Sequence, residues 1–376
     1  MPAIASRQLL YYIPLSAIPG RRPADGTESF LRPEVGFNPN WFHVRCGIDF
    51  SERWHEDPGF RLETLRVMAD EVRRRFPDHA FSGLDPDGEP RDALTGAFGA
   101  AAMGRILGLS IRYFPNAWPA NVGPSLPDDA AARLEPPDLV GNAFFQGILR
   151  QADRAAELTG TAEGYLHWQG VLNTAYRLRG EAVFTDLIED PPRAHRVFEV
   201  VTTTMIEGAR ALYAHQRRHG FEVRFLSVAN CMLNMIGPAQ YREHLLPYDR
   251  RLREAFEVFG IHNCAWSIDP HMEAYAGIRD LAYIDMGLDS DLRRARRLFP
   301  RARRNLLYTP MDLKRKPWAA IRADLNRIAE ELGPCDLGLP DIEADVPDER
   351  ILAVLGYCRE VSARYAQRSQ AARAEP

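Results

Sequence analysis

The chain has 376 residues, of which 45% are hydrophobic and 26% charged, a composition typical of a globular protein. Its net charge of −4 gives no electrostatic reason to expect nucleic acid or an anionic membrane as a partner. No secretory signal pattern or membrane-length apolar segment stands out, so we expect a cytoplasmic protein. The five cysteines are odd in number and widely spaced, which favours thiols, metal ligands or core residues over disulfides.

The predicted elements alternate between strands and helices. Strands are predicted to begin near residues 34, 109, 164, 223, 261, 281, 305 and 336, and an aromatic loop is predicted at 38–42. Helices are predicted at 61–76, 97–107, 142–158, 190–218, 238–258, 317–332 and 346–367. Eight strands separated mostly by helices predict an α/β protein with a (β/α)8 TIM barrel. A doubly wound open sheet is the alternative, although its nucleotide-binding version lacks the usual G-x-G-x-x-G motif.

The chain contains no linker that would divide the predicted barrel. We therefore expect one barrel domain over 31–368, preceded by an N-terminal arm at 1–30 and followed by a disordered tail at 369–376.

One short apolar run, 259–265, ends in a His-x-Cys pair formed by His262 and Cys264. If the run is a strand, residues i and i+2 face the same side and their side chains can converge on one point. Imidazole and thiolate are ligands that zinc prefers. The alternative is that both side chains are ordinary buried core residues.

Other candidate ligands lie near the ends of neighbouring predicted strands, where TIM barrels carry their chemistry. Cys231 ends the preceding strand and can approach the same point, although it can equally be a small core residue. After the last strand we expect Glu343 or Asp341 to contribute a carboxylate. Cys335 is the rival by residue type, but it begins its strand and therefore belongs to the opposite end.

Further polar and aromatic side chains near strand ends are candidates for a substrate pocket, although they can equally be core residues. These are Asn116, Trp118, His167 and Tyr176. Arg45 follows the first strand and can bind a carboxylate or phosphate.

Three stretches resemble the uroporphyrinogen decarboxylase superfamily. Residues 231–241, followed by Leu246-Pro247-Tyr248, resemble its S/G-P-x-x-Y and L-P-Y signature. Residues 164–180 resemble its fourth-strand region, and 347–350 resemble the start of its last helix. The likeness covers roughly 32–365 and implies a single (β/α)8 barrel.

The decarboxylase branch of this superfamily acts on uroporphyrinogen without a metal. Tyr176 matches its Tyr, and Cys231 stands where those enzymes have Ser, so the resemblance makes both candidate catalytic residues. Arg45 and Gly47 match part of the R-Q-A-G-R substrate motif. The second Arg of that motif is missing and the pyrrole-binding Asp has no clear match, which argues against porphyrinogen decarboxylation.

The other branch contains zinc-dependent methyltransferases whose signature is H-x-C, matched here by His262 and Cys264. The resemblance implies zinc bound by this pair and by a Cys or acid after the last strand. Together with the strand-end rule, it predicts about one zinc ion per chain, with Cys231 and an acid such as Glu343 or Asp341 beside the pair. It also implies a corrinoid cofactor that either gives a methyl group to a small molecule or receives one from it. Residues 269–274 only approach the corrinoid-binding D-x-H-x-x-G pattern, so a separate corrinoid-binding protein is expected. The alternatives are a metal-free tetrapyrrole decarboxylase and a non-catalytic barrel.

Overall fold

The computed structural model describes residues 29–79 and 90–374, with side chains up to residue 367. The predicted N-terminal arm at 1–30 therefore lies almost entirely outside the described residues. The predicted tail at 369–376 coincides with the end of the last helix and with residues whose side chains are not described. Among the helices of the described ranges, none is long and apolar enough to cross a membrane.

The centre of the molecule is a parallel sheet of six strands in the order β1-β8-β7-β6-β5-β4. Two further strands, β2 and β3, form a separate antiparallel hairpin. The strands are β1 Leu31–Phe37, β2 Ser110–Phe114, β3 Ala117–Val122, β4 Phe225–Ala229, β5 Val258–His262, β6 Tyr283–Gly287, β7 Arg303–Leu307 and β8 Cys335–Ile342.

Helices occupy most of the connections between these strands, as expected for parallel neighbours. They are α1 Pro39–Cys46, α2 Glu52–Glu56, α3 Pro58–Arg75, α4 Ala102–Ile106, α5 Asp128–Ala132, α6 Ala143–Thr159, α7 Val171–Arg179, α8 Ala182–Glu189, α9 Pro191–Arg218, α10 Pro238–Gln240, α11 Leu246–Ala255, α12 Met272–Ala276, α13 Leu292–Leu298, α14 Pro310–Arg315, α15 Trp318–Glu331 and α16 Asp348–Ala374.

The segment predicted as a strand near residue 164 runs beside β4 without forming a backbone ladder with it in the described structure. The Tyr165 hydroxyl bridges the backbone of Ser227 in β4, at 2.9 Å from its N and 3.2 Å from its O. At the start of the segment, Glu163 forms a single parallel bridge with Asp92. The parallel sheet is confirmed, whereas eight ladder-paired strands are not seen among the described residues.

Two local predictions were wrong. The strand near residue 109 pairs within the β2–β3 hairpin instead of joining the parallel sheet, because a short turn returns the chain antiparallel to itself. The aromatic loop predicted at 38–42 is instead the start of α1: the Asn38 side chain accepts from the Trp41 backbone N at 3.1 Å, and Pro39 occupies the first turn.

Because the six strands are parallel, their carboxyl ends lie at one edge of the sheet. The residues that follow β4, β5 and β8 therefore lie along the same edge, while Cys335, the first residue of β8, lies at the opposite end. Its backbone N donates to Phe30 O at 3.0 Å, and its thiol is buried. The prediction that Cys335 begins its strand is confirmed.

Candidate metal centre

Three potential metal ligands converge where β4 and β5 end. The sulfur atoms of Cys231 and Cys264 are 2.6 Å apart, and the Cys264 sulfur is 3.2 Å from His262 Nε2. The ligating atoms of the three residues all lie within 4.8 Å of one another. We call this group the thiolate–histidine cluster. The convergence predicted from the sequence is present in the described structure.

The backbone brings these side chains together by a different route from the one predicted. His262 is the last residue of β5, and Cys264 lies beyond the strand with φ of 57°. The i, i+2 alternation of a strand therefore does not apply, and a left-handed turn directs the Cys264 thiol back towards His262. Cys231 lies two residues past the end of β4 and opens a 3₁₀ turn, Cys231–Met235.

Asp285 on β6 fixes the orientation of the imidazole. Its carboxylate accepts from His262 Nδ1 at 2.6 Å, and it is completely buried. The same side chain accepts from the backbone N of Asn263 at 2.6 Å and from the Tyr283 hydroxyl at 2.9 Å. With the Nδ1 proton held by Asp285, Nε2 is left to face the two sulfurs, which is the arrangement that metal-binding histidines commonly have.

A second buried hydrogen-bond network holds the loop that carries Cys231. Asn230 makes two hydrogen bonds in this network. Its backbone N donates to His262 O at 2.7 Å, and its Nδ2 donates to Asp249 at 2.8 Å. Tyr241 donates to the same Asp249 oxygen at 2.8 Å. The loop after β4 is thus tied to the end of β5, and Cys231 is held beside His262.

The cluster is electrostatically suited to a cation. The hydrogen bond from Cys264 lowers the pKa of Cys231 well below its usual range, against the effect of burial, and that hydrogen bond and burial raise the pKa of Cys264. Burial lowers the pKa of His262, but Asp285 and Cys231 outweigh it and raise that pKa to about 10. One thiol proton and one imidazole proton can therefore be displaced by a metal ion.

The three ligand atoms can bind a zinc ion if the two sulfur atoms move slightly apart. Zn–S bonds of about 2.3 Å in a tetrahedral site place two sulfurs about 3.8 Å apart, so the 2.6 Å contact between Cys231 and Cys264 must widen by about 1 Å. Both cysteines lie on turns past strand ends, where such a shift leaves the sheet pairing unchanged. Two thiolates and one imidazole match the ligand set of a catalytic zinc site.

The acids predicted to follow the last strand border a pocket at this edge of the sheet. The pocket has a volume of about 600 Å³, and its lining includes Asn116, Trp118, Lys314, Asp341, Glu343 and Asp345. Loss of hydration raises the pKa of Asp341, whereas a hydrogen bond from Trp118 and the charge of His262 lower it. The charge of Asp341 in turn contributes to the raised pKa of Cys264.

Of the other predicted site residues in the described ranges, only His167 shows an interaction with the cluster. His167 is buried, and its pKa is lowered to about 3 by burial and by the nearby charge of His262. Tyr176 lies on α7 with its ring 5.9 Å from that of Phe184. Arg45 donates to Ala344 O at 3.1 Å and to Asp348 at 3.3 Å, so it ties α1 to the loop after β8.

Asp285 was not among the site residues predicted from the sequence. It lies in the middle of a fully buried strand, between Ile284 and Met286. An acid inside such an apolar run must have a partner, because burying an isolated carboxylate is very costly. That pattern was visible in the sequence and could have indicated a buried partner such as His262.

Gly287, the last residue of β6, permits the close approach of the loop after Cys264. A Cβ atom at this position would lie 1.9 Å from the backbone O of Ala265. We expect Gly287→Ala to displace this loop, to reduce the free energy of unfolding by roughly 1–3 kcal/mol and to weaken metal binding. Chemical denaturation and zinc titration measure the two effects.

Gly147→Ala provides the control for that substitution. Gly147 lies in α6, and a Cβ there meets only the end of the Arg150 side chain, at 3.7 Å. This variant should be neutral or slightly more stable, by up to about 1 kcal/mol. Equal stability and zinc affinity of Gly287→Ala and wild type would contradict the proposed steric contact.

Comparisons with known proteins identify a shared fold. No family model matches the chain, and no curated protein matches it. A solved structure of a methyltransferase from Methanosarcina mazei is similar, with a TM-score of 0.61 and 15% identity over 89% of this chain and 94% of the other. A proposed vitamin B12-independent methionine synthase from Listeria monocytogenes matches with a TM-score of 0.36 and 14% identity, over 62% of this chain and 71% of the other. The chain thus shares the α/β fold of a known methyltransferase.

Proposed function

We propose that this chain is a zinc-dependent methyltransferase that works with a separate corrinoid-binding protein. The convergence of Cys231, His262 and Cys264 is the observation that supports this most directly. Zinc bound there would act as a Lewis acid that keeps a thiol methyl acceptor in its reactive thiolate form. Transfer in the opposite direction, from a small-molecule donor to the corrinoid, uses the same residues.

The protein groups around the cluster have separate roles in this proposal. Asp285 holds the proton on His262 Nδ1, so that Nε2 can bind the metal. Of the acids near the last strand, Asp341 is our choice for a fourth position, because its charge acts on both His262 and Cys264. Glu343, two residues further along, stays as the alternative.

The fold that we propose is a (β/α)8 barrel in which two of the eight strand positions are occupied by irregular segments. The segment that begins at Glu163 lies beside β4, and Asp92 bridges to it in a parallel sense. These two segments would fill the second and third strand positions, between β1 and β4. A barrel of this kind places the thiolate–histidine cluster and the neighbouring pocket at its catalytic end.

The pocket beside the cluster gives an expectation for the small-molecule substrate. Its lining contains the carboxylates of Asp341, Glu343 and Asp345 but only one lysine, Lys314, which is paired with Asp345. This excess of negative charge disfavours an acceptor with a sulfonate or carboxylate group. We therefore propose a neutral or cationic thiol as the acceptor.

Methyl transfer from free methylcobalamin to thiols tests the function. We expect zinc-loaded protein to accelerate the demethylation of methylcobalamin, which is measured by the change in its absorbance. The rate should be higher with 2-aminoethanethiol and 2-mercaptoethanol as acceptors than with 2-mercaptoethanesulfonate. Removal of zinc should abolish the rate, and added zinc should restore it. A zinc-loaded protein that accelerates no methyl transfer, in either direction and with added corrinoid proteins, would contradict the proposal.

A further inference from the structure

A second group of potential metal ligands lies at the other end of the sheet. His215 lies in the last turn of α9, His219 is the residue that caps this helix, and Asp153 is on the neighbouring helix α6. The Nε2 atoms of the two histidines lie 2.7 and 2.8 Å from the same oxygen of Asp153. Their ligating atoms all lie within 4.8 Å of one another. We call this group the helix-end triad.

The helix-end triad is separate from the thiolate–histidine cluster. Helix α9 leads into the start of β4, whereas Cys231 follows the end of that strand. The five residues of β4 separate the start of this strand, near the helix-end triad, from its end, near Cys231, by about 17 Å. Neither group can therefore contribute a ligand to the other.

The geometry of the helix-end triad allows its three side chains to share one ion in place of the two hydrogen bonds. Two imidazoles at i and i+4 project from the same face of a helix, a spacing that lets both bind one ion. The third ligand comes from a helix that packs against α9. All three residues are only partly exposed, with side-chain exposures of 44% for Asp153, 13% for His215 and 32% for His219.

We propose that Asp153, His215 and His219 bind a divalent transition-metal ion, with zinc as the representative case. Two imidazoles and one carboxylate form a ligand set that such ions accept, with the remaining position open to water. Binding would replace the protons that the histidines now share with Asp153. The ion would join α6 to the end of α9 and stabilise the folded chain.

Arg218 provides an internal check on this inference. It is exposed, and its Nη2 donates to His215 Nδ1 at 2.7 Å. That hydrogen bond requires an unprotonated Nδ1, whereas a neutral histidine that binds metal through Nε2 carries its proton on Nδ1. Arg218 must therefore move away when metal binds, so Arg218→Ala is expected to bind zinc more tightly than wild type.

Zinc titration of metal-stripped protein against a chromophoric chelator tests the inference. Wild type should bind a second zinc ion, with an affinity weaker than that of the thiolate–histidine cluster. His219→Ala and Asp153→Asn should lose this second ion and keep the first. Glu207→Gln, which removes an exposed acid two turns earlier on α9, should keep both.

Cobalt and thermal measurements separate the two sites. Cobalt in the helix-end triad should give no sulfur-to-metal charge-transfer absorption, and zinc should raise the Tm of wild type more than that of His219→Ala. The inference is overturned if wild type and His219→Ala bind the same number of ions and show the same shift. Because this site holds no thiol, its result is independent of whether the thiolate–histidine cluster binds metal.

Discussion

Replacing Cys264 with serine is expected to reduce tightly bound zinc from about one ion per chain to less than about a tenth. The serine hydroxyl is a poor zinc ligand, because it does not ionise near neutral pH as a thiol does beside a metal. His262→Ala should have the same effect, because it removes the only imidazole of the cluster. Metal analysis after dialysis against a weak chelator measures the loss and removes ions held less tightly elsewhere.

Cys335→Ser is the matched control for that experiment. It makes the same chemical change at a buried thiol, but at the opposite end of β8. It should lower stability without lowering the zinc content of the folded protein. If Cys335→Ser lost the ion while Cys264→Ser kept it, the assignment of the ligands would be wrong.

Asp285→Asn is expected to weaken zinc binding by about 10–100-fold while leaving all three ligands in place. An amide carries no negative charge to stabilise a positively charged or metal-bound His262. Its NH2 group would also face the N–H and O–H groups that now donate to the carboxylate. The effect should appear in the zinc dissociation constant. Circular dichroism and thermal unfolding would show separately whether the variant is folded.

Tyr283→Phe is the control for Asp285→Asn. It removes one hydrogen bond to the same carboxylate oxygen but leaves the bond from His262 intact. We expect a loss of zinc affinity below about threefold, because one neutral hydrogen bond contributes modestly. If the two variants bound zinc equally well, Asp285 would not have the positioning role assigned to it.

The parallel sheet and the convergence of Cys231, His262 and Cys264 were predictable from the sequence. The alternation of apolar runs with helical patterns can be read from short stretches of sequence. It predicted that β4 and β5 are neighbouring parallel strands. The rule that strand ends meet at one edge then placed Cys231 near His262 and Cys264. Cys335 was excluded by the same rule, and the structure places it at the start of β8.

The details that depend on backbone geometry were not predictable in the same way. Cys264 approaches His262 through a left-handed turn, a conformation that periodicity does not reveal. The contact of Asp285 with His262 joins two residues that are 23 positions apart and lie on different strands. The start of α1, by contrast, was visible in the Asn38-Pro39 pair and was misinterpreted as a loop because aromatic residues follow it.

X-ray absorption at the zinc edge, on protein loaded with one equivalent of zinc, identifies the atoms that bind the ion in the thiolate–histidine cluster. We expect two sulfur ligands at about 2.3 Å and two lighter ligands at about 2.0–2.2 Å, which correspond to Cys231, Cys264, His262 and one oxygen. The spectrum should lose its sulfur contribution in the Cys231→Ser, Cys264→Ser double variant. Zinc coordinated by nitrogen and oxygen alone in wild type, or wild-type protein that takes up no zinc, would contradict the account.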